Sequence, residues 1–295
     1  MGALLTTISF CLGDACHRHP PTNGLGSNTC IQDAFNLAWK VNLVHRGAAS
    51  PSLLETYSQE RQPVGAEVVE VANASLRRHG GIWEALGLFA TTAAERKAAR
   101  GELASGTPAG CDRRKRLRDA ILSLKHETLA LGVEMGQRYD SRAVCAADEP
   151  APFKAAGMEA VDPVMHYQPC TYPGRRLPHV WLNKTVMRRE HVSTIDVAGN
   201  GAFCLITGPG GNAWKEAVAI VAQDLRLDIN AVSIGYKQDW EDIYQDWSQV
   251  RGVEEDGAVL VRPDLFIAWR AQTLEGTKDE CTARLKAVFE SILGL

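Results

Sequence analysis

The chain has 295 residues, of which 45% are hydrophobic and 23% charged, and a formal net charge of −3. These are the proportions of an ordinary soluble protein long enough for two domains, and the near-neutral balance argues against a nucleic-acid binder. The eight cysteines show no C-x-x-C pair and no dense spacing, so the expectation is reduced thiols in a cytoplasmic protein.

Residues 4–12 form a short apolar, β-branched run that predicts a buried strand; it is too short to span a bilayer and lacks a basic leader region. The strand delivers Asp14 to its end. Pro20 and Pro21 then remove two backbone donors, while Gly24 and Gly26 permit positive φ and close approach of a ligand to the main chain. A helix follows, capped by Ser27 or Asn28, with Ile31, Ala34, Phe35, Ala38 and Trp39 spaced to form one apolar face. Its N-terminal N–H groups and positive dipole end favour a negative or electron-rich ligand atom, such as a phosphate or the pyrimidine edge of a reduced flavin.

The full string, GDxxHxxPPxxGxGxNxxxxDAxNLxWK from Gly13 to Lys40, resembles the second flavin-binding motif and following helix of the FAD-dependent aromatic-ring hydroxylases of the phenol hydroxylase and p-hydroxybenzoate hydroxylase class. The resemblance implies that Asp14 meets the ribityl chain of FAD. It also implies that the backbone from Pro21 through Gly24, Gly26 and Ser27 to Asn28 lies along the isoalloxazine ring. Family members carry a G-x-G-x-x-G βαβ unit and a further motif upstream of this one. Here no G-x-G-x-x-G follows a strand, and the nearest glycine cluster, Gly208-Pro209-Gly210-Gly211, contains a proline and lies far downstream. The expectation is a truncated FAD-binding domain with a partial cofactor site. Cys11, Cys16, His17 and His19 match no standard zinc spacing, so no metal is assigned.

Helical periodicity resumes over 52–78, where Tyr57 to Pro63 resembles the family's Y-x-x-E-R-x-P segment and Glu60 with Arg61 reads as a buried or semi-buried ion pair fixing two helices. Residues 93–102 and 113–132 predict two amphipathic helices. The basic run Arg113 to Arg116 with Arg118 reads as a solvated helix face, being flanked by Asp112 and Asp119. Tyr139-Asp140-Ser141 resembles the family's Y-x-S element, and a polar, proline-containing linker follows at 146–152.

Beyond Leu182 the pattern turns to β and βα: strand 201–207, helix 212–225, strand 229–235, a hairpin over 258–262 and 265–270, and a final helix 280–293. That is the thioredoxin order, with 208–211 in place of redox cysteines. The P-G-x-R-x-P-H-x-W-L and V-R-P-D-x-x-I-A-W-R stretches resemble the C-terminal domain of phenol hydroxylase and chlorophenol monooxygenase relatives. Arg175 and His179 there read as makers of domain-interface hydrogen bonds.

The fold class expected is therefore α/β: a partial FAD-binding domain over 1–150 with a helical middle region, followed by a thioredoxin-like βαβ-ββα domain over 165–295. The resemblance implies an NAD(P)H- and O2-dependent flavoprotein monooxygenase acting on a phenolic substrate, as a homodimer or with a chain that supplies the missing βαβ unit. Two alternatives stay open: a non-catalytic remnant or dimerisation partner of an intact hydroxylase, and a flavin-free enzyme in which His17, His19 or Asp14 serves as acid or base. The particular phenol, the choice of NADH or NADPH, and whether Met1 is the true start are not fixed by the sequence.

Overall fold

A computed structural model describes residues 9–154, 161–184 and 190–295. In chain order these hold helices α1 (Gly26–His45), α2 (Glu55–Ala85), α3 (Ala93–Ala104), α4 (Pro108–Ser123), α5 (Lys125–Thr128) and α6 (Leu131–Met135). Then come β1 (Trp181–Asn183), β2 (Val192–Ser193), α7 (Thr194–Val197), β3 (Phe203–Thr207), α8 (Asn212–Leu225), β4 (Ile229–Ser233), β5 (Glu241–Asp242), α9 (Asp246–Val250), β6 (Ala258–Val261), β7 (Ile267–Ala271) and α10 (Lys278–Leu293). Most of the strand predicted over 4–12 lies outside the described residues; residues 9–12 have no regular structure, and Leu12 is extended.

The chain forms two compact units that are not consecutive in sequence. The first comprises Met1–Asp33, Gly65–Glu134 and Asp162–His166; the second comprises Ala34–Val64, Met135–Val161 and Tyr167–Leu295.

In the first unit, α3 opens with a reciprocal capping box between Thr92 and Glu95, and α4 opens on a Thr107 cap with Pro108 at its first position. Arg113 of α4 reaches Glu102 of α3 at 2.5 Å and the Ala85 carbonyl at 3.1 Å, while Arg114 donates to the carbonyls of Leu103 and Ser105. The single helix expected over 113–132 is broken into α4, α5 and α6. Gly132 marks one break: its N–H donates to the Val164 carbonyl at 3.0 Å, and a Cβ there would lie 1.9 Å from the Pro163 carbonyl oxygen.

The second unit is built on a four-stranded sheet of order β4-β3-β6-β7, in which β3 and β4 are parallel and the other pairs antiparallel. Side chains alternate across β3 and β6, while a register shift of β7 opposite Leu260 and Val261 sends Ile267 and Trp269 to opposite faces. Phe203, Leu205, Leu260 and Trp269 enter one core with Trp214, Ala217 and Val221 of α8 and Leu285, Phe289 and Ile292 of α10. Cys204, Ile206, Val259, Val261 and Ile267 enter a second core with Leu177, Val180, Leu182 and Trp247. A small antiparallel sheet, β2-β1-β5, completes this unit. The elements predicted beyond residue 200 occur in the order expected, with β5 and α9, which the sequence reading did not anticipate, inserted between β4 and β6.

Candidate functional site

The loop before α1 is fixed in the first unit by contacts that leave its outer side open. Gly13 opens a single 3-10 turn at φ +59°, and its N–H donates to Asp33 Oδ2 at 3.0 Å. His17 donates to the same oxygen through Nε2 at 2.6 Å, so one buried carboxylate on α1 holds both ends of the turn. Two glycines make this approach geometrically possible. A Cβ on Gly13 would lie 2.5 Å from Cys30 Sγ, and one on Gly65 of α2 would lie 3.1 Å from the His17 ring. Farther along, Thr22 donates to the Ala72 carbonyl at 2.7 Å and Asn23 to the His126 carbonyl at 2.7 Å. The histidines of this loop thus serve packing and hydrogen bonding: His19 Nδ1 donates to the Pro20 carbonyl, which leaves Nε2 buried and without a partner among the described residues.

Of the residues singled out from sequence, Asp14, Pro21, Gly24, Ser27 and Asn28 are exposed and Gly26 is half-buried. Asp14 makes no hydrogen bond among the described residues. Gly24 stands at φ +64°, and a Cβ there would meet nothing within 4 Å, so the main chain is open to a ligand at that point. Gly26 needs no positive φ; it begins α1. Ser27 and Asn28 therefore lie inside the first turn and do not cap it. The Asn28 amide donates back to the Gly24 carbonyl at 3.1 Å, whereas a cap would accept from the helix. The N–H groups of residues 26–28 have no partner among the described residues, which leaves the positive end of a 20-residue helix facing outward beside Gly24.

The expected apolar face of α1 is corrected by the structure. Ile31 is 66% and Phe35 44% exposed, and Ala34 and Ala38 are exposed as well, while Asp33, Asn36 and Lys40 are buried with Trp39. The reason is a buried polar cluster in the second unit. Glu60 Oε1 accepts from Ser141 Oγ and Arg262 Nη1, both at 2.6 Å. Its Oε2 accepts from Asn36 and Lys40 at 2.7 Å and from Arg262 Nη2 at 2.8 Å. Arg262 also grips Asp264, Nε to Oδ1 at 3.0 Å and Nη2 to Oδ2 at 2.6 Å. Two cations and two carboxylates are thus balanced within fully or nearly fully buried space. Burial alone would push the Glu60 carboxyl up, but Arg262 and Lys40 outweigh it and hold Glu60 well below the usual carboxylate range. Burial pushes the Lys40 ammonium down to about 8 against the opposing pull of Glu60.

The predicted Glu60–Arg61 pair is replaced in the structure. Successive residues on a helix point about 100° apart, so Glu60 turns to Lys40 and Arg262 while Arg61 donates to Gln137 at 3.1 Å and to the Tyr139 hydroxyl at 3.0 Å. Tyr139 stacks on Phe266 with ring centroids 3.8 Å apart. Arg175 and His179 also act within this unit: Arg175 donates to the Gly136 carbonyl, and His179 bonds Ser193 Oγ at 2.7 Å beside Trp181. Among the described residues no group of three or more His, Cys, Asp or Glu side chains could hold a metal ion, and no helix is long and apolar enough to cross a membrane.

Comparison with known proteins matches residues 8–72 to the FAD binding domain family and residues 170–294 to the aromatic-ring hydroxylase C-terminal family. The chain is 46% identical over 284 residues to a 2,4-dichlorophenol 6-monooxygenase of Delftia acidovorans, covering 95% of this chain and 47% of that protein. It is 44% identical over 268 residues to a phenol 2-monooxygenase of Pseudomonas sp. (strain EST1001), covering 90% and 42%. Among solved structures, the flavin-dependent monooxygenase PieE, in complex with FAD and substrate, superposes with a TM-score of 0.84 at 40% identity, covering 97% of this chain and 47% of that one. The chain spans less than half the length of each of these relatives. With a mixed α/β fold and both family matches in hand, the chain carries FAD binding domain sequence over residues 8–72 and aromatic-ring hydroxylase C-terminal sequence over 170–294.

Proposed function

We propose that residues 13–28 form one wall of a flavin site in an aromatic hydroxylase that acts on a phenolic substrate with NAD(P)H and dioxygen. The observation that carries this is the open main chain at Gly24 beside the unpartnered N–H groups of residues 26–28. A planar, electron-rich ring edge can approach there without meeting a side chain, and the α1 dipole favours negative charge at that edge. These residues fit FAD. In this reading Asp14 accepts hydrogen bonds from the ribityl hydroxyls, Pro21 and Gly24 line the ring, and Gly26, Ser27 and Asn28 present the helix end to the pyrimidine side. The chemistry such a cofactor supplies is two-electron reduction by a nicotinamide and activation of dioxygen.

The exposed apolar residues Ile31, Ala34, Phe35 and Ala38 of α1 favour further protein packing on this helix, and we assign that role to a nucleotide-binding βαβ unit or a partner subunit. We read residues 1–150 as the partial flavin and hydroxylase region and residues 165–295 as a thioredoxin-like domain, on its β3-α8-β4 and β6-β7-α10 order. That domain serves packing: at Gly211 a Cβ would strike Thr207 Oγ1 at 1.8 Å, so the space beside the loop that would carry redox cysteines is filled by the Thr207 side chain. We place the chain in a cytoplasmic setting, on eight cysteines that hold no C-x-x-C pair and no dense spacing.

Titration of FAD into the folded chain, followed by flavin fluorescence and co-elution on gel filtration, tests the proposal. Saturable binding with NAD(P)H-dependent bleaching supports it. A folded chain that binds no FAD overturns it in favour of a non-catalytic partner or a flavin-free enzyme.

A further inference from the structure

Helix α4 sorts its basic residues by partner. Arg113 is held by Glu102 of α3, and Arg116 turns toward Glu84 of α2 at 3.9 Å. Arg114, Lys115 and Arg118, with Lys125 at the start of α5, have no carboxylate within ion-pair distance among the described residues. Arg114 donates to neutral acceptors, the Leu103 and Ser105 carbonyls and Cys111 Sγ, and keeps its charge unpaired.

The inner side of α4 is fixed by close approach: a Cβ on Gly110 would lie 2.5 Å from the Glu102 carbonyl oxygen, and one on Gly81 of α2 would lie 3.1 Å from Ala120 Cβ. At about 100° per residue, Arg114, Lys115, Arg118, Ile121 and Leu122 fall within one arc of about 120°, away from that inner side, and Lys125 carries the arc on by one turn. Asp112 and Asp119 fall outside it. All six side chains are exposed, Ile121 at 53% and Leu122 at 51%, so two large aliphatics stand in water between Arg118 and Lys125.

We propose that this stripe docks the protein on an anionic membrane surface. Ile121 and Leu122 enter the boundary between headgroups and acyl chains, while the Arg and Lys side chains reach outward to the lipid phosphates. A nucleic acid would use the cations and leave the aliphatic pair in water. The contact is peripheral, since α4 has 16 residues and no helix among the described residues is long and apolar enough to cross a bilayer. Asp112 and Asp119, exposed beside the arc, oppose the same surface, which makes docking reversible and sensitive to salt.

The test is co-sedimentation of the full chain with vesicles of phosphatidylcholine and phosphatidylglycerol in a two-to-one ratio, beside vesicles of phosphatidylcholine alone. The expected result is pelleting with the anionic vesicles only, lost when sodium chloride is raised to about 1 M, where the Debye length is about 3 Å. Arg118→Gln with Lys125→Gln should weaken binding more than about tenfold, since each cation near an anionic leaflet contributes about fivefold. Ile121→Ser with Leu122→Ser should weaken it as well, and Arg116→Gln, off the stripe, should leave it unchanged. An unchanged unfolding midpoint shows that each variant is folded. Leu122→Trp adds a gain of signal that unfolding does not mimic: its fluorescence should shift to the blue on anionic vesicles and be quenched by brominated acyl chains.

No pelleting with either vesicle, equal pelleting with both, or binding that survives the stripe substitutions overturns the proposal. Binding that depends on the cations but is indifferent to Ile121 and Leu122 overturns the bilayer as the occupant. Tighter binding to duplex DNA or to polyglutamate than to the anionic vesicles does the same, and assigns the stripe to a nucleic acid or an acidic protein.

Discussion

Arg262 faces Glu60 with both terminal nitrogens, Nη1 to Oε1 at 2.6 Å and Nη2 to Oε2 at 2.8 Å, across 202 residues of sequence. Neither side chain touches solvent. A buried pair of this kind need not contribute much net stability, but breaking it is costly because the surviving charge stays desolvated. Glu60→Ala leaves Lys40 and Arg262 buried with Asp264 as the remaining carboxylate of the cluster. The expected loss is about 3–5 kcal/mol, read as a lower denaturant midpoint; a change below about 1 kcal/mol would mean that water enters and rescues the cluster.

The same carboxylate sets an acid limit. Its folded-state pKa lies below its unfolded value of 4.5, so its stabilisation is fully present above about pH 4.5 and drains as pH falls below it. Thermal unfolding between pH 6 and pH 3 should show a steep loss in the native chain and a shallower one in Glu60→Gln. Parallel slopes would assign the acid sensitivity to other carboxylates.

The cluster also shows what the sequence could and could not convey. The strands and helices beyond residue 200 follow from alternation and helical spacing, because both faces of β3 and β6 are apolar and both long helices bury a stripe. On α1 the same reasoning failed, since it places apolar residues inward by default. Here Asn36 and Lys40 point inward because Glu60, Arg262 and Asp264 wait for them, and Ile31 and Phe35 are left outside. Asn36, Trp39 and Lys40, then Glu60, Ser141, Arg262 and Asp264, stand in separate sequence motifs. Their convergence is a long-range fact that no local spacing encodes. The loop residues Asp14, Gly24 and Asn28 were legible as a group because they lie within one short segment, yet the carboxylate that anchors that segment, Asp33, was missed. Its signal was an acidic residue on a helix face otherwise read as apolar.

Gly13 offers a test of that anchored loop. Alanine there must hold φ +59°, and its methyl group would press on Cys30 Sγ from 2.5 Å. Strain of this kind costs about 1–3 kcal/mol, so Gly13→Ala should lower the unfolding midpoint. Adding Cys30→Ala removes the clash but leaves the backbone strain, so the double variant should recover only part of the loss. Full recovery would mean that the positive φ costs nothing, and no recovery that the sulfur yields freely.

Asp33 is the next point of attack. It accepts from Gly13 N–H and from His17 Nε2 on one oxygen while buried. Asp33→Asn keeps the shape but weakens both charge-assisted bonds, for an expected cost of about 2 kcal/mol. Because Asp33 does not border the open face at Gly24, a loss of FAD affinity in this variant would report loosening of the loop. Unchanged loop stability by hydrogen exchange at residues 13–17 would contradict the anchoring role.

The open face itself is tested by two substitutions that leave the fold alone, since both side chains are exposed. Asp14→Ala removes a carboxylate with no bond to the rest of the described chain, so unfolding should not change. FAD affinity should fall about tenfold, the equivalent of about 1.4 kcal/mol for lost hydrogen bonds to the ribityl chain. Asn28→Asp acts differently. It puts a negative charge in the first turn of α1, where it steadies the helix by about 0.3–1 kcal/mol but opposes negative charge on a reduced ring. The same change loses the Asn28 amide's bond to the Gly24 carbonyl, which offsets that gain, so the variant should be about as stable, bind oxidised FAD nearly as well, and show a lower reduction potential for the bound flavin. A potential that does not move while affinity is retained would place the pyrimidine edge away from the α1 terminus and overturn the assignment of residues 26–28.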